Sequence, residues 1–257
     1  MRIAEHPREP FVVKLRGAAQ GTGALVAEMV AASLAGELGL RVPPSALVHV
    51  PADLPTDDPD DELADLLRAS VGLNLGFAFL SEGRAFVAGD AETIPLETRA
   101  ATLWLDRFIL NPDRTRRNPN LMIDREGVVL IDHGAALRFQ YDWSRVTEES
   151  PRQVGESYEP HLFDTGAADE SWRESDERFA ARFSRGVLEA ALARVPDDFL
   201  RSIPAGSDPA DPVRRRAAYV AFLWKRLKAP RAFAIEPPRF AASARRGVPP
   251  PWVLAPR

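Results

Sequence analysis

Three side chains with proton-accepting or metal-binding oxygens lie close together in the stretch NPDRTRRNPNLMIDREGVVLIDHGAAL, residues 111–137. Asp113 is followed five residues later by Asn118, and Asp132 comes after two short apolar runs. Phosphoryl transfer needs a carboxylate beside the attacking hydroxyl and oxygen ligands for a Mg²⁺ ion on the nucleotide phosphates. The spacing therefore predicts that Asp113 orients or deprotonates a hydroxyl, while Asn118 and Asp132 hold the metal.

The same residues could also form an ordinary surface loop. Asp and Asn are frequent turn residues, and Asp132 could cap the turn that follows it. An Asp with an Asn five residues further on is a weak motif by itself. A predicted helix, this loop, a predicted hairpin and Asp132-His133-Gly134 follow one another, and that order favours a site over a loop.

A cation for the phosphates is expected upstream, on a strand, with a glutamate from the next helix beside it. Only three lysines occur among the 33 Lys and Arg residues, and Lys14 lies in the apolar run VVKL. In so arginine-rich a chain, this lysine suggests a need for a compact ammonium group. Glu28 lies between Ala27 and Met29 on the next predicted helix, where a buried acid needs a partner. We predict a Lys14–Glu28 ion pair; an edge lysine and a solvated glutamate are the alternative.

Short strands and one long helix must place the upstream residues. PFVVKLRG is predicted as a strand, and a helix is expected from about Gly23 to Gly39, where glycine suits the position after a helix end. Further predictions are strands for SALVHV and GLNLGFAFL, a helix for LADLLRAS, and loops for PADLPTDDPDDE and SEGRAFVAGDAETIP. The last loop is interpreted as the boundary between an N-lobe of residues 1–92 and a C-lobe of residues 93–257.

A helix and a hairpin must frame the Asp113 loop. LETRAATLWLDRFIL is predicted as an amphipathic helix, and NLMI and VVLI as strands joined by the turn Asp-Arg-Glu-Gly. Backbone pairing in the hairpin would fix the distance from the loop to Asp132. Two helical stretches, ERFAARFSRGVLEAALARV and DPVRRRAAYVAFLWKRLKAP, follow an irregular segment at 144–170. The predicted buried stripe of the first helix is Leu96, Ala100, Leu103, Trp104, Phe108 and Leu110.

The loop GAAQGTG, residues 17–23, links the first strand to the first helix. Backbone N–H groups at a helix N-terminus can bind anions, so Gly21 and Gly23 are candidates for contacts with nucleotide phosphates. The loop lacks the Gly-Lys-Ser/Thr ending of a P-loop. A flexible connection between strand and helix is the alternative.

Composition narrows the class of protein. A formal net charge of −4 argues against nonspecific binding to nucleic acid. The absence of cysteine excludes a disulfide framework, and four scattered histidines give no zinc pattern. Neither a signal-peptide core nor an uninterrupted apolar run of membrane-spanning length is present, so a cytoplasmic protein is expected.

The sequence resembles the HipA-like family of kinases, in a compact form without the N-terminal domain of the full toxin kinase. The stretches that carry the resemblance are FVVKLRGAAQGTGALVAEMVAASLAGELGL, DLLRASVGLNLGFAFL, WLDRFILNPDRTRRNPNLMID, LIDHGAALRF and RAAYVAFLWKRLKAPRAF. The resemblance implies an α+β, two-lobed protein-kinase-like fold of the atypical, lipid-kinase-like type. The N-lobe would be a truncated mixed α/β unit, and the mainly helical C-lobe would contain the catalytic β-hairpin.

The resemblance also implies a role for each candidate residue. Lys14 would bind the nucleotide phosphates with Glu28 as its partner. Asp113 would be the catalytic aspartate, and Asn118 and Asp132 would be the metal ligands. The implied reaction transfers the γ-phosphoryl group of ATP, with Mg²⁺, to a hydroxyl group of Ser or Thr in a protein substrate.

The segment before Lys14 departs from the kinase pattern. Protein kinases cover the phosphates with a glycine-rich hairpin that precedes the lysine strand, whereas the thirteen residues before Lys14 contain no glycine. A misplaced start or a lost phosphate lid would explain this. A lost lid predicts the alternative function, a catalytically impaired member that regulates by binding a nucleotide or a protein partner. A small-molecule kinase of the aminoglycoside type is a third reading, although such enzymes usually show His-Gly-Asp where this chain has Asn-Pro-Asp.

Overall fold

An antiparallel sheet and a long helix form the N-terminal part of the protein. The computed structural model describes residues 10–18, 20–54, 61–157, 159–164, 170–202, 211–235 and 239–240. The elements of this part are β1 (Phe11–Lys14), α1 (Gly21–Glu37), β2 (Ser45–Val50), α2 (Asp61–Ala69) and β3 (Gly72–Ala78). The strands lie in the order β1-β3-β2, and Lys14 pairs with Leu75. The strands and helices predicted here from sequence are confirmed.

A hairpin and a set of helices form the C-terminal part. The elements are β4 (Arg84–Ala85), α3 (Leu96–Phe108), β5 (Leu121–Asp124), β6 (Gly127–Leu130), β7 (Glu156–Ser157), α4 (Glu170–Ala180), α5 (Arg185–Ala193), α6 (Asp197–Ser202), α7 (Pro212–Arg226), α8 (Ala232–Ile235) and β8 (Arg239–Phe240). β5 and β6 form the predicted hairpin, and β4 adds a third antiparallel strand beside β5.

The segment predicted as a loop at SEGRAFVAGDAETIP contains regular structure. It includes β4 and a short 3₁₀ helix at Ala88–Glu92, so the loop prediction is wrong in these two places. A strand of two residues exists only because β5 offers it hydrogen-bonding partners. Local sequence does not reveal such a partner, since strand pairing depends on contacts from elsewhere in the chain.

Helix α1 is buried on nearly every side. Its fully or almost fully buried apolar residues include Leu25, Val26, Ala27, Val30 and Leu34. A helix that is apolar all round is expected inside a protein, and α1 packs against α5 and α6 of the C-terminal part. Its last residue is Glu37, and Gly39 takes the predicted position after the helix end with a φ of 71°, which is easy for glycine. The Leu40 N–H donates to the Ala35 carbonyl at 3.0 Å.

Trp104 of helix α3 lies at the centre of the core of the C-terminal part. Phe183 stacks on its ring with a centroid distance of 5.5 Å, while Phe108 and Phe233 lie at 5.1 and 5.5 Å. The Trp104 indole N–H donates to Asp176 at 2.7 Å. The predicted burial of Leu96 is wrong, because its side chain is 76% exposed at the start of α3.

A buried arginine at the end of α7 ties separate segments together. Arg226 donates hydrogen bonds to the carbonyls of Arg107 and Phe108 at the end of α3 and to those of Pro151 and Gln153. Burial lowers the pKa of Arg226 to about 9. By binding two carbonyls at the end of α3 and two from residues 151–153, Arg226 fixes the end of α3. This end leads directly into the Asp113 loop.

Candidate active site

Lys14 and Glu28 form the predicted ion pair, and Asp132 joins them. The Lys14 ammonium donates to Glu28 Oε1 at 2.5 Å and to Asp132 Oδ1 at 2.5 Å. β1 supplies the lysine and α1 the glutamate, while Asp132 follows β6 of the hairpin. Burial alone would lower the pKa of Lys14, but the two carboxylates outweigh it and raise the pKa above its usual value.

Glu28 is held on both of its oxygens. Its side chain is 1% exposed, and Oε2 accepts the backbone N–H of His133 at 2.9 Å. Burial would raise the pKa of Glu28, but the His133 side chain, whose Nδ1 lies 3.6 Å from Oε2, and the Lys14 charge together lower it. Glu28 is therefore a fixed anion.

Asn120 joins the Asp113 loop to the end of the hairpin. Its backbone carbonyl accepts the N–H of Ile131 at 3.0 Å. Its side-chain Nδ2 lies 3.2 Å from Asp113 Oδ2 and 3.5 Å from the Asp132 carbonyl oxygen. Asn120 and Asp132 both have left-handed backbone conformations, with φ of 48° and 56°. Asn and Asp both tolerate this region better than most residues, so these two positions suit tight turns.

Asp113 is held by two amides. Asn118 Nδ2 donates to Asp113 Oδ2 at 3.0 Å, in addition to the contact from Asn120. Burial raises the pKa of Asp113, and the nearby negative charge of Asp132 adds to this, although the two amides oppose it. A raised pKa makes the carboxylate a better proton acceptor near neutral pH.

A buried network anchors the Asp113 loop. Asp106 of α3 is completely buried and accepts from Asn111 Nδ2 at 2.7 Å and from Arg114 Nε at 2.6 Å. Its Oδ2 lies 3.0 Å from His161 Nε2. Asn111 Oδ1 in turn accepts the backbone N–H of Asp113 at 3.2 Å. Arg114 is therefore a structural residue paired with Asp106.

An apolar cleft of about 230 Å³ opens beside Lys14. β1, the end of β3 and the hairpin enclose it, and Lys14, Glu28 and Asp132 all line it. The apolar lining consists of Val12, Ala32, Val42, Pro43, Phe77, Ala78, Phe79, Leu80, Met122, Leu130 and Ile131. A larger hollow of about 540 Å³ between residues 143–151 and α7 contains none of the predicted site residues. The smaller cleft is therefore the candidate ligand site.

Gly21 and Gly23 lie at the start of α1, apart from the residues that line this cleft. Gly21 has a left-handed φ of 58°. Gly23 is packed against Tyr141, and a Cβ atom there would lie 2.7 Å from the Tyr141 ring. Their predicted contact with nucleotide phosphates stays a prediction.

The donor set fits a magnesium ion that is held mainly by a substrate. Within the described residues, no group of three or more His, Asp or Glu side chains could hold a metal ion. Mg²⁺ needs fewer protein ligands, because it keeps several waters and binds through one or two carboxylates plus substrate phosphates. Asp132 is 52% exposed, and Asn118 uses its nitrogen for Asp113, so the Asn118 carbonyl oxygen takes no part in that bond.

Sequence reasoning missed part of the site. Nothing in the local sequence of Asn120 shows that it contacts Asp113 and reaches toward Asp132. The apolar residues after β3 that line the cleft gave no signal, since any buried strand end would look the same. The order of strand, helix, loop and hairpin was the available signal. It predicted Lys14, Glu28, Asp113, Asn118 and Asp132 as site residues, and their roles stay predictions.

Comparisons with known proteins place the chain in a family. The model of the HipA-like kinase family matches residues 5–211. Among solved structures, the chain is similar to the Helicobacter pylori proinflammatory kinase CtkA, with a TM-score of 0.54 and 14% identity over 89% of this chain and 90% of that chain. At this identity the likeness shows a kinase-like fold, in agreement with the predicted α+β, two-lobed architecture. No curated protein matches the sequence significantly.

The match to the family covers most of the chain. It contains all five predicted site residues, which are Lys14, Glu28, Asp113, Asn118 and Asp132. None of the helices in the described ranges is long and apolar enough to cross a membrane. The chain belongs to the HipA-like kinase family.

Proposed function

We propose that this protein uses ATP and Mg²⁺ to phosphorylate a hydroxyl group, on Ser or Thr of a protein substrate. The observation that carries the proposal is the simultaneous contact of Lys14 with Glu28 and Asp132 at the edge of the apolar cleft. Membership of a kinase family supports it. The net charge of −4 argues against nonspecific binding to nucleic acid.

The cleft suits the base of a nucleotide. Its volume of about 230 Å³ is below the range of roughly 300–1,000 Å³ usual for small-molecule pockets, so it would hold only part of the ligand. A flat base would lie among the apolar residues, and the phosphates would extend toward Lys14. The cleft would then lie between an N-lobe of residues 1–92 and a C-lobe of residues 93–257.

The polar residues would divide the chemistry between them. Lys14 would bind the phosphates, and Glu28 would hold the lysine in place. Asp113 would orient the attacking hydroxyl and accept its proton, helped by the raised pKa of its carboxyl. Asn118 and Asp132 would hold a Mg²⁺ ion, which neutralises charge on the transferring phosphoryl group when bound.

The test combines phosphate transfer with a thermal-shift assay. Wild type should transfer phosphate from ATP to itself or to an added protein, and Mg·ATP should raise its melting temperature by binding the folded state. Asp113→Ala should lose at least roughly 100-fold in transfer rate, since acid–base help is worth that much, and keep the thermal shift. Asp132→Ala should lose much of the shift. Asp65→Ala, on the exposed face of α2, is the control and should change neither.

The alternative is a catalytically impaired member that binds a nucleotide or a protein. One observation favours it: within the described residues, β1 is an edge strand that pairs with β3 alone, so no described strand lies on its other side. Under this alternative, wild type shows a thermal shift with Mg·ATP but no transfer to itself or to any protein. No shift at millimolar Mg·ATP would leave only partner binding.

A further inference from the structure

Lys14 contacts two carboxylates that differ in what holds them. Glu28 is buried, and its second oxygen is already bound to the His133 N–H. Asp132 is 52% exposed. Moving the ammonium away from Glu28 would leave a buried charge without its partner, which is costly. Moving the ammonium away from Asp132 costs little free energy, because water can solvate the exposed carboxylate. Lys14 therefore keeps its contact with Glu28 but can readily exchange its contact with Asp132.

The ammonium group occupies one of the two carboxylate oxygens of Asp132, the predicted metal ligand. Lys14 Nζ lies 2.5 Å from Asp132 Oδ1, and a Mg²⁺ ion would need its oxygen ligands at about 2.0–2.1 Å. A divalent cation and an ammonium on the same carboxylate repel each other strongly at such distances. The geometry thus makes Lys14 and a metal ion competitors for Asp132 in the ligand-free protein.

We propose that Lys14 acts as a substitute cation on Asp132 and prevents a divalent cation from binding before the nucleotide. Phosphate oxygens arriving in the cleft offer the ammonium a new partner while Glu28 keeps its place. Asp132 is then released to the metal ion that accompanies the phosphates. Metal and nucleotide binding are coupled through one lysine, and the coupling works equally in both directions. This inference rests on the proposed function and adds an order of binding to it.

The experiment measures Mn²⁺ binding to nucleotide-free protein by the loss of the free-ion signal in electron paramagnetic resonance. Lys14→Met should bind Mn²⁺ at least about tenfold more tightly than wild type, because a repelling charge next to the site has been removed. The gain should disappear in Lys14→Met/Asp132→Asn, which shows that the cation sits on Asp132. Equal Mn²⁺ affinity in Lys14→Met and wild type would overturn the proposal, and so would a gain that survives the Asp132 change.

Lys225→Met is the matched control. Lys225 is 28% exposed, against 27% for Lys14, and it also pairs with a carboxylate, that of Glu148. Its removal should leave Mn²⁺ affinity at the wild-type level, and a similar gain there would overturn the proposal by showing a general charge effect. If Lys14→Met does not fold because Glu28 is left unpaired, Lys14→Met/Glu28→Gln removes the buried charge and carries the same expectation.

A second measurement separates this proposal from the function on which it rests. In wild type, Mg²⁺ should tighten ADP binding in calorimetry, and in Lys14→Met this tightening should be several-fold smaller. If wild type binds Mg·ADP while Lys14→Met shows undiminished coupling and no gain in Mn²⁺ affinity, the order of binding is wrong and the kinase proposal stands. If wild type binds no nucleotide at all, the kinase proposal itself is wrong.

Discussion

Asp106 shapes the Asp113 loop without being part of the cleft lining. His161 Nδ1 accepts the backbone N–H of Phe163 at 3.1 Å, so the ring proton must lie on Nε2, where it is donated to Asp106. Arg114 and Asn111 complete the shell around this carboxylate. Burial would raise the pKa of Asp106, but Arg114 and His161 lower it well below its usual range. Asp106 is thus a charged positioning residue.

Removing Asp106 should destabilise the fold. Asp106→Ala leaves the Arg114 guanidinium buried without its carboxylate, and breaking a buried pair in this way costs about 3–5 kcal/mol. Urea denaturation should show this loss in the free energy of unfolding. Asp65→Asn removes a carboxylate from an exposed pair with Arg68 and should stay within about 0.5 kcal/mol of wild type. A loss for Asp106→Ala as small as that for Asp65→Asn would mean that the network does not hold the loop.

Residue types and spacing predicted the five candidate residues, but only some of their contacts. The Lys14–Glu28 pair was predictable, because a strand and the next helix bring neighbours in sequence together. The contact between Lys14 and Asp132 was not, since 118 positions separate them and no local pattern reports such a distance. Their roles in catalysis and metal binding stay predictions until tested.

At the scale of elements, α3 shows both the strength and the limit of periodicity. The pattern correctly predicted that Trp104 and Phe108 are buried. They pack on aromatic rings from α4, α8 and the turn before α5. It wrongly predicted that Leu96 is buried. Leu96 is the first residue of the helix, directly after Pro95, and its side chain is exposed. Periodicity gives the face of a helix, but it cannot show where along that face the neighbouring elements stop.

This difference can be measured with two truncations in one helix. Trp104→Ala should destabilise the protein by about 3–5 kcal/mol, because it leaves a cavity among four phenylalanines and removes the hydrogen bond to Asp176. Leu96→Ala should change the free energy of unfolding by less than about 0.5 kcal/mol. Denaturant unfolding followed by circular dichroism provides both values. Similar losses for the two variants would contradict the described packing of α3.

At the scale of the whole molecule, Arg41 links the N-terminal part to the hairpin. Its guanidinium binds both oxygens of Asp124 at 2.7 Å, and its carbonyl accepts the Leu130 N–H at 2.8 Å. The hydrogen bonds from Arg41 lower the pKa of Asp124 to about 2. The loop-like segment SEGRAFVAGDAETIP predicted a boundary between two lobes, and that boundary stays a prediction. The contacts of Arg41 with the hairpin could not be predicted, because no local pattern reports which distant segments meet in the folded chain.

This link predicts a defined loss of stability in acid. The usual pKa of an Asp is 3.8, and that of folded Asp124 is about 2, so its contribution is fully present above pH 4. The contribution is lost as the pH falls from about 4 to about 2, because the unfolded chain binds the proton first. Asp124→Asn should flatten the fall in urea midpoint across this window, whereas Asp65→Asn should follow wild type. An unchanged slope in Asp124→Asn would contradict the prediction.

The near-complete enclosure of α1 has a consequence for how such a protein could be switched. Glu28 is carried by a helix wedged among the C-terminal helices, so it cannot swing outward without unpacking the interior. It also holds the Lys14 ammonium at 2.5 Å. Regulation by moving α1 outward and back would therefore require breaking much of its packing. An inhibitor or activator would have to act on the exposed side, at Asp132 or at the entrance of the cleft, where side chains can move independently.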